Sequence, residues 1–112
     1  GEGVERDISE AVKYFRLSAE QGNIDAMNVY GMCLYNGDGT TKNQSAAVKW
    51  YRLAASKGSP HAMENLAACA LLGIGGMEKS IKESTVWKVR AQAARGDGNA
   101  VAWLVQNGYS LR

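Results

Sequence analysis

The nine residues Ala11-Val12-Lys13-Tyr14-Phe15-Arg16-Leu17-Ser18-Ala19 recur as Ala47-Val48-Lys49-Trp50-Tyr51-Arg52-Leu53-Ala54-Ala55, 36 positions further on. The same interval joins Gly22 to Gly58, Ala26-Met27 to Ala62-Met63, Cys33 to Cys69, Gly37 to Gly73 and Gly39 to Gly75. Agreement at so many positions without a gap marks an internal repeat, one supersecondary unit copied along the chain. A weaker third copy is displaced by 38, carrying Gly58 to Gly96 and Ala62 to Ala100. The two extra residues are expected in the connection 75–82, because loops absorb insertions more readily than helices.

Each unit reads as two short helices. Residues 24–36 place Ile24, Met27, Tyr30, Gly31 and Leu34 at the spacing of a buried helical stripe. Asn23 suits an N-cap, and Gly37 the left-handed position that ends a helix. A second helix is expected over 43–57, stopped by Gly58. Ser59-Pro60 opens the next, with Ser as N-cap and Pro at the first helical position, where a missing N–H costs nothing. Asp7-Ile8-Ser9-Glu10 and Ser80-Ile81-Lys82-Glu83 both fit a capping box. Gly-Asp-Gly at 37–39 and Gly-Ile-Gly-Gly at 73–76 mark turns. Ala26, Gly31, Ala47, Ala55, Ala62 and Ala67 lack bulk, so helices approach closely there, and Tyr14, Phe15, Trp50 and Tyr51 are expected to fill the remaining volume. One pair cannot bury its apolar face alone; stacked neighbours complete the core.

Composition narrows the function classes. The 112 residues carry 13 basic and 11 acidic side chains for a net charge of +2, too small a surplus to argue for nucleic acid without a clustered basic face. No apolar run approaches the roughly 20 residues that span a bilayer. Cys33 and Cys69 are too few and too far apart for a disulfide framework or metal site, and are expected to be free, buried thiols. The chain opens without Met and reads as part of a longer protein. It fixes no compartment: the cytoplasm is favoured, and periplasm or secretion stay open.

The run Ala26-Met27-Asn28-Val29-Tyr30-Gly31-Met32-Cys33-Leu34-Tyr35-Asn36-Gly37-Asp38-Gly39, followed by Ala47 to Ala55, resembles the Sel-one-like repeat, a relative of the tetratricopeptide repeats with longer units. The resemblance implies an all-α fold, an α/α solenoid of stacked antiparallel helix pairs. In that register residues 1–7 are similar to the turn inside a pair and 8–21 to an orphan second helix. The domain then divides into a half repeat at 1–22, a repeat at 23–58, a lengthened repeat at 59–96, and a half repeat or cap at 97–112.

What the resemblance implies for function is a scaffold or adaptor that binds a peptide or small protein on its concave face, lined by the first helix of each pair. Carried over by register, the candidates are Asp25, Asn28, Met32 and Tyr35, then His61, Glu64, Ala68 and Leu71, then Asn99, Ala102, Gln106 and Tyr109. Tyr35 and Tyr109 stand out as anchors because Tyr is frequent among interface hot spots. The recurrent cations Lys13, Arg16, Lys49, Arg52 and Arg90 fall on second helices and read as a solvated convex face. Arg95 and Lys57 sit near helix C-termini, where a cation complements the helix dipole.

Two other classes compete. A truncated solenoid exposes an apolar end that can pair with another copy, making a structural, self-associating module. An enzyme is the third. The single His61 has no second histidine, metal-ligand spacing or nucleophile elbow beside it. The cysteine-rich secreted members linked to β-lactams carry two cysteines per repeat; one per repeat here leaves that hydrolase reading remote. No catalytic residue, metal or cofactor is assigned.

Overall fold

A chain that alternates helix caps with glycine turns builds a computed structural model made of helices alone. The structure describes residues 2–111; Gly1 and Arg112, which the sequence reading places in the first and last half repeats, lie outside them. Six helices follow one another: α1 (Glu2–Glu20), α2 (Ile24–Asn36), α3 (Gln44–Ser56), α4 (Pro60–Leu72), α5 (Ile81–Ala94) and α6 (Gly98–Gln106). No strand interrupts them among the described residues. Each packs principally on its neighbours in sequence, α1 on α2 through to α5 on α6. The array measures 52 × 27 × 20 Å with a radius of gyration of 15.1 Å, against about 13 Å for a globular chain of this length. It is an α/α solenoid.

Capping explains where the helices start. Asn23, Asn43, Ser59 and Ser80 are extended, and their side chains accept from the backbone N–H of Ala26, Ala46, Ala62 and Glu83. Each satisfies one of the donors that a helix N-terminus leaves orphaned. Pro60 opens α4, and Asp97 caps α6 through Asn99 and Ala100.

The core is small-residue packing completed by larger side chains. Ala47, Ala54, Ala62, Leu66, Ala70 and Leu104 are fully enclosed, with Met27 and Met63 beside them. Successive units are held by their turns. At Gly39, with φ +68°, an added Cβ would meet Ile8 and Val12 of α1; at Gly75, with φ +71°, it would meet Gln44 and Val48 of α3. These contacts are images of one another 36 residues apart. In both, a bare backbone in a left-handed conformation lets the turn of one pair rest on the second helix of the pair before it.

Several expectations need correction. Residues 2–7 are helical, so the turn expected at 1–7 is absent there, and Asp7 caps nothing. Glu and Arg carry helical backbone well, Val is tolerated, Gly3 costs only about 1 kcal/mol, and Arg6 pairs with Glu10 one turn on at 3.6 Å. Tyr14 is 68% exposed rather than buried, because among the described residues α1 packs substantially only on α2. Cys69 is buried, but Cys33 is half-exposed. The insertion is also divided. From Asn43 to Ser80, the caps of α3 and α5, is 37 positions, and α5 has 14 residues where α3 has 13. One extra residue lies in the turn and one in the helix, which puts Trp87 in the place of Trp50. Both tryptophans pack half-buried against the core.

Candidate functional site

The first helices α2 and α4 lie either side of α3, and a cleft of about 220 Å³ opens along them. Met32, Tyr35 and Asn36 of α2 form one wall, Asn65, Ala68 and Cys69 of α4 the other, and Tyr51 of α3 reaches it from the core. Three residues of the expected surface therefore share one cavity: Met32, 43% exposed, the half-buried Tyr35, and Ala68.

Amides tie the walls together. Asn65 Nδ2 donates to Asn28 Oδ1 at 2.8 Å, and Asn28 Nδ2 reaches Met32 Sδ at 3.8 Å. Asn28 is only 8% exposed, so its amide is spent holding α4 and orienting Met32. Both thiols and the Tyr51 phenol titrate above their ordinary values. Burial is the first cause for Cys33, with Asp38 adding to it. Burial also leads for Cys69 and Tyr51. The cleft thus offers sulfur, aromatic carbon and amides, all neutral at pH 7.

The remaining expected residues distribute differently. Glu64 takes a bidentate ion pair from Arg95, at 2.7 and 3.2 Å, and lies 3.7 Å from His61 Nδ1. The hydrogen bond from Arg95 is the first reason its carboxyl titrates below the usual glutamate value. Arg95 is the C-cap of α5, so this pair bridges two helices. Asp25, Leu71, Asn99, Ala102 and Gln106 are exposed. Tyr109 lies beyond the end of α6, which stops at Gln106. Its N–H donates to Leu104 O, and its ring stacks on Trp103 at 5.9 Å with 5° between the planes. The two anchor tyrosines are therefore not equivalent: Tyr35 sits on a helix in the cleft, Tyr109 on a folded-back tail.

Asn36 and Asn65 were not among the expected residues. Asn65 is one position past Glu64, the register mate of Asn28, so the 36-residue period gives no signal of it. Among the cations, Lys13, Arg16, Lys49 and Arg52 are exposed as the register implies, and Arg16 pairs with Glu20 at 2.8 Å. Arg90 is half-buried instead, its guanidinium 4.9 Å from the centre of the Trp87 ring. Among the described residues no three His, Cys, Asp or Glu side chains gather to hold a metal ion, and no helix is long and apolar enough to cross a membrane.

The Sel1 repeat family model matches residues 1–23, 24–59 and 60–87. Among solved structures, the chain is similar to a Sel1 repeat protein from Oxalobacter formigenes, with a TM-score of 0.69 and 31% identity over 92% of this chain and 44% of that one. It is also similar in fold to a protective antigen of uropathogenic Escherichia coli strains displaying an SLR fold, with a TM-score of 0.71 and 21% identity over 90% of this chain and 22% of that one. The chain thus spans less than half the length of either. No curated protein matches it.

Proposed function

The chain belongs to the Sel1 repeat family, whose repeats generally serve as protein–protein interaction modules, and from that premise we propose that it binds a peptide segment of a protein partner in the cleft between α2 and α4. The observation that carries this reading is the cleft's chemistry. Met32 and the Tyr35 ring give an adaptable apolar contact, and Asn36 and Asn65 offer amides that can both donate to and accept from a peptide backbone. A cavity of about 220 Å³ accommodates one or two side chains rather than a folded domain. The SLR proteins are typically non-enzymatic scaffolds, and the neutral cleft supports a binding role over catalysis.

The test selects peptides from a random library on the immobilised chain and compares their affinity for wild type, Tyr35→Ala and Met32→Asp, with helicity followed by circular dichroism. Losses of about tenfold or more in both variants, at unchanged helicity, are expected for hot-spot contacts. Selected peptides that bind both variants as tightly as wild type overturn the site.

A second reading, self-association through the end of the array, is supported by α1. Tyr14 and Leu17 are 68% and 58% exposed, whereas Trp50, the register mate of Tyr14, is covered by Tyr30 of α2, ring centres 5.6 Å apart. Light scattering across a concentration series tests it: a constant monomer mass excludes end-to-end pairing.

A further inference from the structure

A second cavity, larger than the first and sharing no lining residue with it, lies where α3, α5 and the C-terminal tail meet. Its volume is about 370 Å³, and its lining includes Arg52, Lys82, Arg90, Trp87 and Tyr109, with Glu83 the one carboxylate. Arg90 is set rather than free to swing. Its guanidinium lies over Trp87 and, at 5.9 Å, over Tyr109, while Nε and Nη2 donate to the backbone oxygen and hydroxyl of Ser110 at 3.3 and 3.5 Å. Beside it a further cavity of about 330 Å³ shares Lys82, Val86 and Tyr109 and continues to Trp103. The two adjoin at these shared residues and form a trough along α5.

Three cations against one carboxylate, on a floor of indole and phenol, select for negative charge together with apolar or aromatic surface. The chain as a whole is only +2, so this surplus is a local arrangement rather than a general basicity. The trough is also too long for one small anion, because its cations come from α3 and from two turns of α5. We propose that it binds an acidic peptide segment bearing an aromatic residue, the carboxylates meeting Arg52, Lys82 and Arg90 and the ring packing beside Trp87 and Tyr109 where they line the cavity. This site is independent of the cleft between α2 and α4.

The test uses the full chain and a fluorescein-labelled peptide rich in Glu with a central Phe, beside its counterpart with every Glu replaced by Lys. Fluorescence anisotropy is read for wild type, Arg52→Glu, Lys82→Glu, and Lys13→Glu on α1 as a control of equal charge. Arg52, Lys82 and Lys13 are exposed, so none of the reversals disturbs the core. The acidic peptide is expected to bind, the basic one not. Each reversal in the trough is expected to weaken binding about tenfold or more, the loss of one charge-assisted hydrogen bond, and the α1 reversal to leave it unchanged. Equal weakening by Lys13→Glu overturns the proposal, as does affinity unmoved by both trough reversals. Displacement of the peptide by millimolar inorganic phosphate overturns it in favour of a site for free anions.

Discussion

Gly31 backs onto the ring of Tyr51 so closely that a Cβ at residue 31 would stand 2.7 Å from Cε1 and 2.9 Å from Cδ1. Tyr51 is 2% exposed and packed in the core, so the ring could yield only toward the cleft it lines. The second pair carries Ala67 where the first has Gly31. There the residue 37 positions after Tyr51 is Lys88, which is exposed, and a methyl group is admitted. Glycine at 31 and tyrosine at 51 are one fitted pair. Gly31→Leu is expected to force α2 from α3 at a cost of about 3 kcal/mol, read as a lower midpoint in urea denaturation. A midpoint equal to wild type rejects this packing.

The same comparison of registers points to a substitution that stabilises. Ser84 takes the place in α5 that Ala47 holds in α3; it is 2% exposed, and its hydroxyl oxygen is buried without a hydrogen-bond partner. An unsatisfied buried hydroxyl costs about 1–3 kcal/mol. Ser84→Ala removes it without adding volume and is expected to raise Tm by about 4 °C or more. A lower Tm in calorimetry shows that the hydroxyl bonds something after all.

How much of this was legible in the sequence follows from the range of the forces involved. Asn23, Ser59 and Gly37 announce helix ends through chemistry within a few residues, and the 36-residue period exposes the stacking because every unit packs alike. The capping box at Asp7 is equally local but misleads, since no proline precedes it and nothing requires a break. The exposure of Tyr14 reflects that, among the described residues, α1 packs substantially only on α2, which no residue in α1 records. Tyr109 stacks on Trp103 because α6 stops early, and that departs from the period rather than following it. For the same reason Arg90, read by register as solvated, is found held between aromatic rings.

The Glu64–Arg95 pair fixes a pH dependence. The carboxyl titrates below its ordinary value of 4.5, first because it accepts hydrogen bonds from Arg95. A depressed folded value adds stability above the unfolded value and loses it as pH falls through the folded one. Both side chains are substantially exposed, so the contribution is small and screened by salt. Glu64→Gln is expected to lower Tm modestly at pH 7 in dilute buffer, the difference vanishing as pH falls through the depressed folded value and wild-type Glu64 is protonated too. A difference in Tm that persists unchanged at low pH assigns the effect to packing.

Thiol chemistry separates the two repeats. Burial first, then the Asp38 carboxylate, pushes the Cys33 thiol above its ordinary 9.0, and Cys69 is raised by burial while being enclosed. Only the thiolate reacts. Iodoacetamide at pH 8 is therefore expected to modify native Cys33 slowly and Cys69 more slowly still, with both becoming fast in denaturant. Peptide mapping over a time course gives the order. Faster labelling of Cys69 contradicts the enclosed site.

The two turn glycines test how far a local fault travels along the array. Gly39→Ala forces a methyl against Ile8 and Val12 of α1, and Gly75→Ala forces one against Val48 and Gln44 of α3. Each also places a side chain at positive φ, so each contact should lose about 1–3 kcal/mol. The contacts are alike, but their positions are not. Among the described residues α1 packs substantially only on α2, whereas α3 packs on both α2 and α4. In a linear array the loss of a terminal interface frees the end, and the loss of an interior one destabilises both sides. Hydrogen exchange should show Gly39→Ala speeding the amides of α1 while those of α4 stay protected. Gly75→Ala should speed α3, α4 and α5 together and lower Tm more. Equal global loss from both variants would mean that the helices unfold as one cooperative block, with α1 as firmly held as the centre.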